Sequence, residues 1–227
     1  MNKTIPVIAI DGPSGAGKGV ITQRLAAYKG YHLLDSGAIY RLVGFAARKN
    51  GVDLSNRSGL LELAQGLDVS FYVTGDSENP LSIWYRNEDV TRDLRTNEAG
   101  VDASEVASIG ELRLAMRGLQ RSFKKSPSLV ADGRDMGTVV FNEAKVKIFL
   151  TASLEARAQR RYVELYKHDK KISFKTILEQ IRERDQRDQT RSSSPMIAAS
   201  DAKIFDTSDL SINEAVDEVY FYIQTKI

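Results

Sequence analysis

The sequence predicts an α/β fold in which helices cover both faces of a parallel β-sheet. Three observations lead to this prediction. Short apolar runs alternate with helical patterns along the chain. The first apolar run leads into a glycine-rich loop, and a helical pattern opens directly after that loop. The length of 227 residues suits one sizeable domain, or a core with an elaboration.

Five apolar runs are interpreted as buried parallel strands, and helical patterns lie between and after them. The strands are predicted at residues 7–10, 32–34, 129–131, 146–150 and 203–205. The helices are predicted at residues 18–28, 37–49, 105–123, 154–167, 174–187 and 212–224. This alternation favours a doubly wound sheet, in which ligands bind at the carboxyl ends of the strands.

One region, residues 67–94, interrupts the alternation. Its apolar residues alternate with polar ones around a turn cluster at residues 75–80, and Asn87-Glu88 offers a second turn. We expect a small antiparallel sheet inserted into the α/β core, with Trp84 packing within it.

The composition excludes several classes of protein. There are no cysteines, which excludes disulfides and thiolate metal sites. The apolar run at residues 5–10 is too short for a membrane span or a secretory signal, so we expect a cytoplasmic protein without a membrane partner. A net charge of +2 does not indicate a general nucleic-acid binder.

Residues 12–18 match the G-x-x-x-x-G-K phosphate-binding pattern in its required place between a strand and a helix. Glycines permit left-handed backbone conformations, so successive N–H groups can point at an anion, and the helix N-terminus adds a positive field. Lys18 supplies a full charge to the outer phosphates. The residues expected to bind ATP are Gly12, Pro13, Ser14, Gly15, Ala16, Gly17, Lys18, Gly19 and Val20.

The loop lacks the hydroxyl that usually follows its lysine, because Gly19 and Val20 stand there. Mg²⁺ would therefore be carried by the nucleotide phosphates, by water and by an acid elsewhere. Asp132, at the end of the third strand, is the candidate, possible through water; Asp11 is the alternative, although it could simply brace the loop.

A second anion pocket is indicated by three segments, at residues 33–41, 131–138 and 182–191, the first two of which lie at strand ends. In the third segment, Arg184, Asp188 and Arg191 are spaced i, i+4 and i+7 and line one helical face. That stripe fits either a surface salt-bridge ladder or a site where arginines pair with phosphate and aspartate accepts from ribose hydroxyls.

Residues 155–195 are interpreted as a mobile lid that brings arginines onto the donor phosphates. Arg157, Arg160 and Arg161 share one helical face at its start. His168, in a polar tip, is interpreted as a solvent-facing residue and not as a catalytic base.

The motifs IDGPSGAGKG, HLLDSGAIYR, ADGRDMGTVVFN, VKIFLTAS and ERDQRDQTR closely resemble those of the bacterial cytidylate kinases, over essentially the whole chain. The resemblance implies a P-loop nucleoside monophosphate (NMP) kinase fold, with a five-stranded parallel sheet in the order 2-3-1-4-5. It implies direct transfer of the γ-phosphoryl group from ATP, with Mg²⁺, to CMP or dCMP, without a covalent intermediate. It also implies a core of residues 1–35, 126–154 and 196–227, an NMP-binding domain of residues 36–125, and the lid.

The resemblance further implies a role for each matching residue. Cytosine would be held by Ser104, Arg113 and Asp135, and the CMP phosphate by Arg41, Arg134 and Arg191. The sugar would meet Arg184 and Asp188, with Ser36 and Gly37 lining the same pocket, while Arg157 and Arg161 would hold the donor phosphates. The residues expected to take part in catalysis are Lys18, Asp132, Arg134, Arg157, Arg161 and Arg191.

This chain departs from the family at Val20, where threonine is typical, so we expect weakened ATP handling with activity retained. Other interpretations stay open from the residues alone. They are a kinase for UMP, AMP or an acceptor such as shikimate, a protein that binds ATP without transfer, and RNA binding through residues 157–191. We expect a monomer, since no exposed apolar helix face stands out.

Overall fold

The structure, a computed structural model, describes residues 5–74, 76, 80–166 and 170–227. His168 therefore lies outside the described residues. In chain order the strands are β1 Val7–Asp11, β2 His32–Asp35, β3 Val69–Val73, β4 Leu81–Tyr85, β5 Glu88–Asp89, β6 Leu129–Gly133, β7 Val146–Thr151 and β8 Lys203–Asp206. The helices are α1 Lys18–Lys29, α2 Ser36–Lys49, α3 Arg57–Gln65, α4 Thr91–Leu94, α5 Asn97–Val106, α6 Gly110–Ser122, α7 Leu154–Tyr166, α8 Phe174–Thr190 and α9 Ile212–Gln224.

The central sheet has the strand order β2-β6-β1-β7-β8, and every neighbouring pair is parallel. Counting only these five strands along the chain, the order is 2-3-1-4-5, as the resemblance implies. Strand β1 lies in the middle and is buried along its whole length. In the register, Ile10 faces Asp132 of β6 and Ile148 of β7, so the chain leaves these strands at one edge of the sheet. The predicted fold class is confirmed.

The helix predicted at residues 105–123 begins too early: its main part is α6, and its first two residues are the end of α5. The chain forms α5 and α6 instead, and residues 107–109 break the helix between them. Thr96 caps α5 by accepting from the Ala99 N–H, and Ile109 is extended before α6 begins. A guanidinium N–H of Arg113 donates to the Ala107 carbonyl at the break, 3.3 Å away. Of these two helices, only α5 lines the cavity described below.

The interruption at residues 67–94 is the antiparallel sheet β3-β4-β5, as predicted. Its second turn is centred on Arg86 and Asn87, which both have positive φ, one residue earlier than the sequence suggests. Trp84 packs edge to face against Tyr72 on the same sheet, with ring centroids 6.2 Å apart, and is 37% exposed.

The apolar core joins the central sheet to most of the helices, while α7 and α8 enclose a small separate cluster. That cluster consists of Ala158, Ile177 and Ile181, with partly buried neighbours such as Leu154 and Tyr162. Among the described residues, no helix is both long enough and apolar enough to cross a membrane.

Candidate active site

The glycine-rich loop joins the end of β1 to the start of α1 and needs glycine at defined positions. Gly12, Gly15 and Gly17 have φ of 141°, 81° and 91°, values that side-chain-bearing residues rarely adopt. A Cβ atom added to Gly12 would also lie 2.0 Å from the Leu150 carbonyl oxygen of β7. The loop therefore presents bare backbone beside the sheet edge and leads into the N-terminus of a helix, where anions are favoured.

Lys18, the first residue of α1, is buried at this loop. Its Nζ donates to the Pro13 carbonyl at 2.9 Å and lies 4.0 Å from Oδ1 of Asp132, which is also buried. Burial lowers the pKa of Lys18 to about 7 and raises the pKa of Asp132 to about 7. The pair is therefore poised to change charge near neutral pH.

We expect the affinity of this loop for metal-free inorganic tripolyphosphate to fall from about pH 6 to about pH 8. Through that range Lys18 loses its positive charge and Asp132 gains a negative one, so the net charge of the pair falls from +1 toward −1. Titration calorimetry on the wild type and on Asp132→Asn tests this, because the probe's own protonation cancels in the ratio of the two affinities. The affinity of Asp132→Asn for tripolyphosphate should fall less steeply with pH than that of the wild type. Equal slopes of affinity against pH would contradict the expectation.

Asp11 braces the ends of the strands through both of its carboxylate oxygens. Its two carboxylate oxygens accept from the N–H groups of Met136 and Gly137, at 2.8 and 2.7 Å, at the start of a π-helical turn over Met136–Val140. Burial raises the pKa of Asp11 to about 6. Asp132 instead lies close to Gly19, since a Cβ on that glycine would be 3.9 Å from Oδ2 of Asp132.

No group of three or more His, Cys, Asp or Glu in the described part of the chain could hold a metal ion by itself. The buried Asp132 beside Lys18 is a single carboxylate at the mouth of the loop. This donor set suits an ion such as Mg²⁺ that keeps several waters and arrives on phosphate oxygens.

A second cluster of charged side chains gathers where β6, α2, α6 and α8 meet. Asp135 and Arg113 form a buried ion pair, with Oδ2 and Nη2 2.6 Å apart. Arg113 also lies over the Tyr40 ring, 5.3 Å from its centroid. Tyr40 is fully buried, and burial raises its pKa. The sequence analysis did not assign a role to Tyr40, although its place one turn into α2 beside Arg41 was a usable signal.

The stripe on α8 is centred on a buried aspartate and is not a surface salt-bridge ladder. Asp188 is 6% exposed and lies 3.1 Å from Nε of Arg134 and 3.5 Å from Nη1 of Arg191. Burial beside Arg134 lowers the pKa of Arg184 to about 9. The ladder interpretation is wrong for this reason, although Arg191 itself lies just beyond the helix end.

Several polar atoms in this cluster are buried without a hydrogen-bond partner among the described residues. They are Ser104 Oγ, Arg113 Nε, Arg184 Nε and Arg191 Nη2. Unpaired buried donors are costly, and an excess of them on arginines is the expected signature of a site that an anionic, hydrogen-bonding ligand completes.

Helix α2 carries the remaining predicted residues of this pocket. Asp35 caps the helix by accepting from the Ala38 N–H at 2.9 Å, which sets Ser36 and Gly37 in the first turn. Arg41, one turn later, donates to the Leu94 carbonyl at 2.7 Å, and burial lowers its pKa.

One cavity of about 870 Å³ extends from the loop to Arg41, Ser104 and Arg184 at the margin of this cluster. Ser14, Gly15, Ala16, Gly17 and Val20 line one end, and Arg41, Ser104, Arg161 and Arg184 are among the residues that line the rest. Its volume lies within the range usual for ligand-binding pockets. The loop and three side chains of the cluster thus line one space. Other predicted site residues do not line it, namely Lys18, Arg113, Arg134, Asp135, Asp188 and Arg191.

The structure does not bring Arg157 to the cavity wall. Its guanidinium donates to the carbonyls of Ala152 and Ser14, at 3.0 and 3.2 Å, and pairs with Asp185 at 2.6 Å. Arg161 does line the cavity, where it pairs with Glu164 at 2.8 Å. Sequence reasoning did not identify Asp185 as the partner of Arg157.

Comparisons with known proteins point to one family along nearly the full length of the chain. A family model described as cytidylate kinase matches residues 8–225. The cytidylate kinase of Shewanella frigidimarina (strain NCIMB 400) is 48% identical over 227 residues, which cover 100% of this chain and 99% of the relative. The cytidylate kinase of Pseudomonas paraeruginosa is 47% identical over 224 residues, covering 99% of this chain and 97% of the relative. That of Aeromonas salmonicida is 47% identical over 227 residues, covering 100% and 97%.

Proposed function

The chain belongs to the cytidylate kinase family, and we propose that ATP binds at residues 12–20 and CMP at the arginine cluster, with the cavity joining the two sites. The activity is transfer of the γ-phosphoryl group of ATP to CMP, which gives ADP and CDP. The observation that carries the proposal is the continuity of the cavity, because direct transfer requires the two phosphate groups to meet.

The acceptor assignment rests on the burial and the unsatisfied donors of the cluster. Arg41, Arg134 and Arg191 would pair with the CMP phosphate, since arginine binds phosphate oxygens in a bidentate manner. Arg184 and Asp188 would meet the sugar hydroxyls, beside Ser36 and Gly37. CMP and dCMP would both fit, and a monomer would suffice, since both ends of the cavity are lined by one chain.

Base selection would come from Ser104, Arg113 and Asp135. Cytosine carries an exocyclic amine where uracil carries a carbonyl, and a carboxylate accepts from the first and repels the second. Asp135 is held in place by the ion pair with Arg113, so its orientation is set before the base arrives.

The chemistry requires charge compensation and no general base. The acceptor phosphate has its second pKa near ~6, so it is largely ionised at neutral pH. Lys18, Arg134, Arg161 and Arg191 would offset the repulsion between the two polyanions and the charge of the transition state. Mg²⁺, carried by the ATP phosphates with Asp132 nearby, would supply further charge neutralisation.

A coupled assay of ADP formation with separate CMP, dCMP, UMP, AMP and shikimate tests the function. We expect CMP and dCMP to give the highest kcat/KM, and the other acceptors to give far lower values. Binding of ATP without turnover of any acceptor would instead favour a non-catalytic ATP-binding protein.

Restoring a hydroxyl at residue 20 is expected to improve ATP handling. Val20 is 41% exposed at the loop end of the cavity and cannot donate to a phosphate. For Val20→Thr we expect the KM for ATP to fall about fivefold, the effect of one added hydrogen bond, with the KM for CMP unchanged. Val20→Ala is the control, because it shortens the side chain without adding a donor. A KM for ATP that is equal in Val20→Thr and Val20→Ala would refute the expectation.

A further inference from the structure

The phosphate loop has a second side, which faces away from the anion and carries its carbonyl groups. Peptide units that turn their N–H groups toward one side turn their C=O groups toward the other. Carbonyls that point into protein need donors of their own, because an unpaired buried carbonyl is costly. The donors to these carbonyls therefore decide whether the loop keeps its shape when no anion is present.

Each carbonyl from Pro13 to Gly17 has such a donor. Gly17 accepts from the backbone of α1, through the Ile21 N–H at 3.2 Å. The other four carbonyls accept from side chains. These bonds are Lys18 Nζ to Pro13 at 2.9 Å, Arg157 Nη1 to Ser14 at 3.2 Å, Arg160 Nη1 to Gly15 at 3.3 Å and Thr207 Oγ1 to Ala16 at 3.1 Å.

Thr207, just after β8, has the best-defined hydrogen-bond partners among these donors. It is buried, and its hydroxyl has one proton to give. The Thr151 carbonyl, 3.2 Å from that hydroxyl, already accepts from the Thr207 N–H at 2.8 Å. We therefore assign the hydroxyl proton of Thr207 to the hydrogen bond with the Ala16 carbonyl. The same hydroxyl accepts from Arg160 Nη1 at 3.1 Å, which links the two donors.

Arg160, on α7, links the phosphate loop to the segment around Thr207 through several hydrogen bonds. Besides Gly15 and the Thr207 hydroxyl, its guanidinium donates to the carbonyls of Thr207 and Leu210. Its charge is thus directed to backbone oxygens on the loop and on the segment that leads into α9. A lysine could not replace it, because a single ammonium cannot span these acceptors in a fixed plane.

We propose that Thr207 and Arg160 are positioning residues for the ATP donor, which hold the carbonyls of Ala16 and Gly15 outward so that the loop's N–H groups stay directed at the phosphates. This inference rests on the assignment of residues 12–20 to the ATP phosphates. It adds two residues outside the glycine-rich motif to the binding of ATP, and neither of them touches the acceptor cluster.

Three variants of the full-length chain test the inference. Thr207→Val keeps the shape of the side chain and removes its hydroxyl, Thr207→Ser keeps the hydroxyl, and Thr225→Val removes a threonine-to-carbonyl bond at the far end of α9. We expect Thr207→Val to weaken binding of ADP and of tripolyphosphate about tenfold, by calorimetry, and to raise the KM for ATP equally. Thr207→Ser and Thr225→Val should bind both probes within about twofold of the wild type.

The KM for CMP separates positioning from a general loss of structure. It should stay within about twofold of the wild type in Thr207→Val, while Arg160→Lys should repeat the selective loss of ATP affinity. Equal affinities for ADP in Thr207→Val and Thr207→Ser would overturn the inference, as would equal losses for ATP and CMP. A wild-type chain that binds neither ADP nor tripolyphosphate would overturn the loop assignment itself, and the inference with it.

Discussion

Lys18→Ala is expected to lower kcat by about a thousandfold while the protein stays folded. Lys18 starts α1 at the phosphate loop, where its ammonium donates to the Pro13 carbonyl, and we expect it to pair with the outer phosphates of ATP. In a buried site such a charge acts on the transition state with little screening by water. Measured turnover with ATP and CMP gives the magnitude.

The fold should tolerate this change because Lys18 is already desolvated. Its burial lowers its pKa, and the neighbouring Asp132 has a raised pKa and can take up a proton when the cation is removed. Thermal unfolding checks that the variant is folded. Lys29→Ala, at the other end of the same helix, is the matched control and should turn over normally. Unchanged turnover in folded Lys18→Ala would rule out the phosphate role.

Asp135→Asn is expected to narrow the preference for CMP over UMP by about ten- to a hundredfold in kcat/KM, the effect of one lost charge-assisted hydrogen bond. The asparagine keeps an oxygen for Arg113 but loses the negative charge that would accept from the cytosine amine. Its amide can also donate to the uracil carbonyl. The ratio of kcat/KM values for the two acceptors is the measurement.

Asp102→Asn is the matched control for this prediction. Asp102 forms another Asp–Arg pair, with Arg48 at 2.6 Å, and neither residue is among those expected to bind a nucleotide. Its replacement removes a carboxylate of similar burial and should leave the CMP-to-UMP ratio unchanged. If Asp135→Asn also leaves that ratio unchanged, Asp135 does not recognise the base. Asp135→Ala is less informative, because a buried Arg113 without its partner destabilises the fold by about 3–5 kcal/mol.

Much of the fold was predictable from local signals. The core strands are short apolar runs with turn residues on both sides, and the glycine loop marks where the first strand ends. Helix α3 was missed, although Asn56 caps it and Leu60 and Ala64 form its buried face, because its apolar pattern covers little more than one turn. The break between α5 and α6 was missed because the apolar period continues across it.

The site residues that belong to a local sequence motif were predictable. The contacts between segments that are distant in sequence were less predictable. The buried cluster around Asp188 and Asp135 brings α8 and β6 together, but spacing along α8 alone could not distinguish a site from a surface ladder. The contact of Arg157 with Asp185 and the bond from Thr207 to Ala16 depend on tertiary packing. No local sequence pattern predicts that Thr207 donates to the Ala16 carbonyl, because the two residues are 191 positions apart.

A separate apolar cluster lies between α7 and α8, so we expect these two helices to open locally as one cooperative unit. Because Ala158, Ile177 and Ile181 pack apart from the sheet, the pair can detach without exposing the main core, and its amide hydrogens should exchange at a lower free energy than those of β1. Each such excursion also carries Arg157 and Arg160 away from the loop. We therefore expect local opening of these two helices to weaken the binding of ADP at the loop.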